Sequence, residues 1–221
     1  MCSHYEAPTP RQLAATFGLG SESDQGKLDL WPGYVGPFLR RAELNDEDSR
    51  PIELLTGAFG LIPHWSKDTK IARRTYNARS ETVAKKPSFR GAWRKAQHCI
   101  IPAAAIYEPD WRSGKAQATR IVRADGQLMG IAGLWEVWRD PATRELLHSY
   151  SMLTVNADDH PFMRNYHKPQ DEKRMVVILP TGLYQDWLDA PPEASADFMR
   201  RYPADRLAVA NGEAEAPPEP T

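Results

Sequence analysis

Six short runs crowded with β-branched, aromatic and leucine residues constrain this chain most: Ile52–Ile62, His98–Tyr107, Ala118–Arg123, Leu128–Trp138, Leu146–Val155 and Arg174–Leu179. Residues of this kind suit a pleated, largely buried surface, and runs of this length read as strands. Between two of them lies Asp125-Gly126, a hairpin signal, since these residues accept the backbone that tight two-residue turns require. Helical patterns are fewer: Arg11–Phe17, a stretch opening at Ser80 as cap, and Thr181–Leu188, where Tyr184, Trp187 and Leu188 share one stripe. Strands that do not alternate regularly with helices favour an α+β, β-rich fold with largely antiparallel sheets and a few flanking helices. Residues 33–51 mix Gly, Pro and charge and read as loop or exposed excursion. The pattern predicts one domain over residues 1–210 and a disordered, acidic and proline-rich tail over residues 211–221.

The chain has 221 residues, 41% hydrophobic and 26% charged, enough for a packed core without disulfides. No apolar run approaches the roughly 20 residues that span a bilayer, and the start has no basic stretch followed by an apolar one. A cytoplasmic protein without membrane partners is expected, and two cysteines, Cys2 and Cys99, fit a reducing compartment. The formal charge of −1 does not announce a nucleic-acid binder. Acids, however, crowd into residues 43–48 and the tail, while bases cluster in residues 67–79, 85–95 and 168–174, an asymmetry that can make one basic face.

Four positions carry chemistry. Cys2 follows the initiator Met, and loss of Met1 would give a terminal cysteine with an α-amine of pKa about 7.7–8.0 beside a thiol of about 8.5. An aldehyde is the electrophile that uses both: the amine forms a Schiff base and the thiol closes a five-membered thiazolidine. In Thr75-Tyr-Asn-Ala-Arg-Ser-Glu-Thr82, Asn77 can orient a reacting group and Arg79 can clamp a phosphate, or Ser80 and Glu81 can serve only a helix start. Glu108 closes a strongly apolar strand; buried there, it would have a raised pKa and act as acid and base near neutrality. His167, ahead of the strand Val176–Leu179, is a candidate proton shuttle. The six histidines show no helical pairing and there is no Cys-x-x-Cys, so no metal is expected. Walker, dinucleotide-binding and nucleophile-elbow motifs are also missing, and no cofactor is expected.

The order of these elements is more specific than any one: Cys2, Trp31-Pro32-Gly33, Gly60-Leu-Ile-Pro-His-Trp65, Asn77-Ala-Arg-Ser-Glu-Thr82, Tyr107-Glu108, Thr154, then His167 before Arg174-Met-Val-Val-Ile-Leu-Pro180. From Cys2 to about Ala190 the chain resembles the SRAP family, the SOS-response-associated peptidase or abasic-site processing proteins. The resemblance implies a barrel-like fold with a positive groove that binds single-stranded DNA and covalently captures abasic sites as part of the DNA-damage response, in a monomer. It implies that Glu108 opens the closed sugar, Asn77 positions Cys2 and His167 assists proton transfer. It also implies DNA contacts from Arg79, Arg74, Trp65, Pro32 and, through the backbone, Thr154.

The sequence departs from the family in three places. Ser3-His4 follows Cys2 where the family has Gly-Arg, and Pro109 follows Glu108 where an aromatic is common. Lys168-Pro-Gln-Asp-Glu172 also lengthens the usual His-x-Arg-Met motif, leaving His160 as a competitor to His167. The alternative activity is that of a cysteine peptidase with Cys2, His167 and Asn77 or Glu108 as nucleophile, base and orienter.

Overall fold

The computed structural model describes residues 2–19, 28–42 and 51–210. In chain order the first strands are β1 (His4–Glu6), β2 (Asp29–Leu30), β3 (Val35–Arg41), β4 (Ile52–Phe59), β5 (Asn77–Arg79), β6 (His98–Ala103) and β7 (Ala105–Asp110). They are followed by β8 (Gln117–Arg123), β9 (Met129–Arg139), β10 (Leu146–Asn156), β11 (Arg174–Val176), β12 (Ile178–Leu179) and β13 (Leu207–Val209). Among the described residues three α-helices flank them: α1 (Pro10–Phe17), α2 (Arg90–Arg94) and α3 (Tyr184–Asp189).

The larger sheet closes on itself. Its order runs β9, β6, β3, β4, β10, and β10 pairs back to β9, so five strands form a barrel. Most pairings are antiparallel, but β10 takes β4 and β5 in parallel. Beyond Met152 and Gly133 the strands β10 and β9 part, and residues 174–179 wedge between them, β11 on β10 and β12 on β9. At the centre of this wedge Val177 donates to Leu153 and accepts from Ala132, so one residue satisfies both separated strands. A second sheet, in the order β13, β8, β7, β1, β2, packs against the barrel. Phe38, Phe59, Ile101, Leu134 and Tyr150 are fully buried, and the hydroxyls of Tyr5 on β1 and Tyr150 on β10 meet at 2.6 Å across the two sheets.

Four expectations change. The run His98–Tyr107 is two strands, because the chain bends at Ala104, whose N–H bonds to Glu6, and passes from barrel to second sheet. Residues 33–51 are not simply loop: Val35–Arg41 is a barrel strand with Phe38 and Leu39 fully buried. Its charges disguised it, although Arg40 is neutralised by Glu53 at 2.7 Å and lies over the Trp135 ring. No helix opens at Ser80; turns fill residues 80–89 and α2 begins at Arg90. Thr181–Leu188 begins as a 3-10 turn, with α3 following from Tyr184. By contrast α1 forms where expected, held by a Thr9–Gln12 capping box, Pro10 in its first turn and Gly18 in the left-handed conformation at its end. Residues 43–50 and the tail, 211–221, lie outside the described residues. Among the described residues no helix is long and apolar enough to cross a membrane.

Candidate active site

Cys2 leads into β1, and β1 lies antiparallel to β7 with His4 opposite Tyr107. That register carries the thiol to the strand bearing Glu108, whose charge acts on it directly. Cys2 is 1% exposed and its Sγ donates to the His4 carbonyl at 3.4 Å. Burial, and then the Glu108 charge, pushes the thiol far above its ordinary range, so it rests protonated. From the barrel side, β5 brings Asn77, whose Nδ2 donates to the Cys2 carbonyl at 2.6 Å. The Asn77 Oδ1 is buried and has no hydrogen-bond partner among the described residues. An acceptor left in this way costs stability unless something supplies a donor.

Glu108 is 2% exposed, and burial lifts its carboxyl from 4.5 to about 7. The loop after β10 docks beside it: the His167 N–H donates to the Pro109 carbonyl at 2.8 Å, and Tyr166 bridges to Asp110. This leaves His167 at φ 65°, a conformation non-glycine residues seldom adopt. Its Nε2 then stands 3.2 Å from Glu108 Oε2. Burial lowers the imidazole to about 4, so near neutrality the ring is uncharged beside a carboxyl poised to gain or lose a proton. His160 has a different place. Its Nε2 meets the Tyr202 carbonyl at 2.8 Å and its Nδ1 accepts from Met163 N–H at 3.0 Å, which ties two loops together.

The remaining candidates divide by exposure. Pro32 and Arg74 line one groove of about 860 Å³ together with Lys70 and Arg73. Trp65 is 51% exposed, on a loop held where Trp138 Nε1 donates to the Ser66 carbonyl at 2.8 Å. Arg79 is 45% exposed and paired with Glu172 at 2.8 Å. Thr154, opposite Arg79 in the β5–β10 register, is fully buried, and its hydroxyl accepts from Arg174 at 3.1 Å. Its structural place is on the strand beside the one that presents Arg79.

Two arrangements were missed in the sequence. His4 is sandwiched between Trp31 and Tyr107, with centroids 4.1 and 4.0 Å away, and its Nε2 meets Asp29 at 2.8 Å. Arg174, 2% exposed at its side chain, holds Glu81 in a two-point contact of 3.0 and 2.9 Å and also bonds Glu172 and Thr154. Glu81 is therefore no helix-opening acid: it anchors the turn after β5 to β11. The signal lay in the spacing of two between Asn77, Arg79 and Glu81, which suits one face of an extended segment better than a helix start.

A cysteine, an amide, a neutral-range carboxyl and a histidine are brought together by four separate segments into one candidate site. The chain belongs to the SRAP family: the family described as SOS response associated peptidase matches residues 1–213. Among relatives, the abasic site processing protein YoaM of Bacillus subtilis is 34% identical over 143 residues, covering 64% of this chain and 59% of that protein. The abasic site processing protein HMCES of Gallus gallus is 25% identical over 201 residues, covering 80% of this chain and 58% of that protein. The chain thus aligns with less than two thirds of either relative. A crystal structure of a protein from Bordetella bronchiseptica superposes with a TM-score of 0.85 at 49% identity, covering 96% of this chain and 100% of that one. A Bacteroides thetaiotaomicron protein shares the fold, with a TM-score of 0.77 at 21% identity over 94% of this chain and 90% of that one.

Proposed function

We propose that this protein processes abasic sites by capturing their aldehyde, in single-stranded DNA, on Cys2 after removal of Met1. The observation that carries the reading is the convergence of Cys2, Asn77, Glu108 and His167. An abasic sugar is mostly a closed hemiacetal, so opening it requires a proton delivered to the ring oxygen and another removed from the anomeric hydroxyl. A carboxyl near 7 does both at neutral pH. The Cys2 amine attacks the freed aldehyde carbon, water leaves, and an imine results. The thiol, protonated until then, adds to the imine carbon while its proton passes to the nitrogen. Aldehyde and aminothiol thereby become thiazolidine plus one water. Asn77, with its amide on the Cys2 carbonyl and its Oδ1 open, orients the amine; His167 serves the opened sugar hydroxyl. Arg79, Arg74, Trp65 and Pro32 hold the flanking strand by phosphate contact and stacking.

The names of the relatives support abasic-site processing, and their family name also carries peptidase. In a cysteine peptidase an imidazole draws the proton from the thiol. Here the thiol donates to a carbonyl and is pushed up, the reverse of such activation. Cys2→Ala tests the reading: on single-stranded DNA with one abasic site, the species that survives denaturation disappears, whereas non-covalent affinity falls less than about fivefold because the phosphate contacts lie elsewhere. Covalent capture that persists in this variant contradicts it.

A further inference from the structure

The Arg79 guanidinium already holds an anion. Glu172 Oε2 lies 2.8 Å from its Nη1, while Glu172 Oε1 accepts from Arg174 Nη1 at 2.9 Å and from Asn156 Nδ2 at 3.3 Å. Two of these partners do not move with Arg79: Arg174 is buried among Glu81 and Thr154, and Asn156 ends β10. The carboxylate is therefore a fixed charge, and the Arg174 hydrogen bond holds it below the usual carboxylate range. It belongs to Lys168-Pro-Gln-Asp-Glu172, the segment that lengthens the histidine loop. This loop is tied down at both ends, by His167 on Pro109 and by the Lys173 N–H on Asp158 at 2.7 Å.

We infer that Glu172 is an internal competitor for the phosphate site at Arg79, an affinity-setting residue that occupies the guanidinium until a DNA phosphate displaces it. The inference rests on the reading of Arg79 as a phosphate clamp. A phosphate that arrives at Arg79 finds Nη1 taken by Glu172, and the carboxylate stays beside the new anion because Arg174 and Asn156 retain it. Exchange of one anion for another releases little counterion, so Arg79 adds less to affinity and to its salt dependence than a free arginine does. Weaker binding to undamaged strands follows, and the covalent step at Cys2 then determines which strands are retained.

The test measures binding of an undamaged single-stranded oligonucleotide over a range of salt for wild type, Glu172→Gln, Arg79→Ala and the double variant. Glu172→Gln is expected to bind about two- to fivefold tighter, in line with the worth of an exposed ion pair. Its plot of log affinity against log salt steepens by about 0.7, one phosphate on a single strand. Both gains vanish in the Arg79→Ala background. If Glu172→Gln matches wild type, or its gain persists without Arg79, the inference is overturned while the functional reading stands. If wild type does not bind the strand, both fall. Thermal unfolding checks the fold of each variant, and Glu172→Ser replaces the glutamine variant if that one is unfolded.

Discussion

At Glu108 the demands of the proposed chemistry and of stability oppose each other. A carboxyl that binds its proton more tightly in the folded chain than in the unfolded one costs stability wherever it must ionise. The displacement from 4.5 to about 7 is worth about 3 kcal/mol, fully felt above pH 7 and relieved as pH falls towards 4.5. Glu108→Gln is therefore expected to raise the unfolding midpoint relative to wild type at pH 8, with the difference fading by pH 5. His167, held neutral down to about 4, loses stability between 6.5 and 4 in both proteins, so the comparison is made at each pH. Equal midpoints at pH 8 contradict a buried, elevated carboxyl. Cys2, Asn77, Glu108 and His167 were each readable as candidates because each is a reactive type at a distinctive place in the chain. Their mutual geometry was not readable, since it depends on the β1–β7 register and on the left-handed backbone at His167, neither of which leaves a local pattern.

Among the elements, runs with a strong apolar pattern were legible and those whose burial depends on distant partners were not. Strand β3 hides its character because Arg40 finds Glu53 and Trp135 only after the barrel forms. The bend at Ala104 that moves the chain from one sheet to another lies within an uninterrupted apolar run. Gly60 shows how tightly one joint is specified. It sits at φ 121° just after β4, and a Cβ there runs into the carbonyl of Ala72, in the 3-10 turn Thr69–Arg74 that supplies Lys70, Arg73 and Arg74 to the groove. Gly60→Ala is expected to cost on the order of 2–4 kcal/mol and to weaken binding to single-stranded DNA even where the protein remains folded. Denaturant unfolding together with an anisotropy titration measures both. A variant as stable as wild type contradicts the packing of this turn on β4.

For the whole molecule, composition and strand content gave the α+β class, whereas closure of the barrel was beyond them. Closure rests on the pairing of β10 with both β9 and, in parallel, β4, a segment far away in the chain, while residues 174–179 fill the gap where β9 and β10 part. The consequence is spatial: the second sheet supplies Glu108 and the start of the chain leading into it Cys2, β5 alongside β10 supplies Asn77, and the loop entering the wedge supplies His167. The near-zero net charge likewise concealed a basic groove, because the acids concentrate elsewhere in the chain. The central claim, covalent capture at Cys2, is tested most directly by intact mass and a denaturing gel on the purified protein, before and after incubation with single-stranded DNA bearing one abasic site. The account predicts a protein without Met1 that gains the DNA mass less one water in a species stable to denaturation. A protein with Cys2 exposed at its terminus that binds the strand and gains no mass contradicts it.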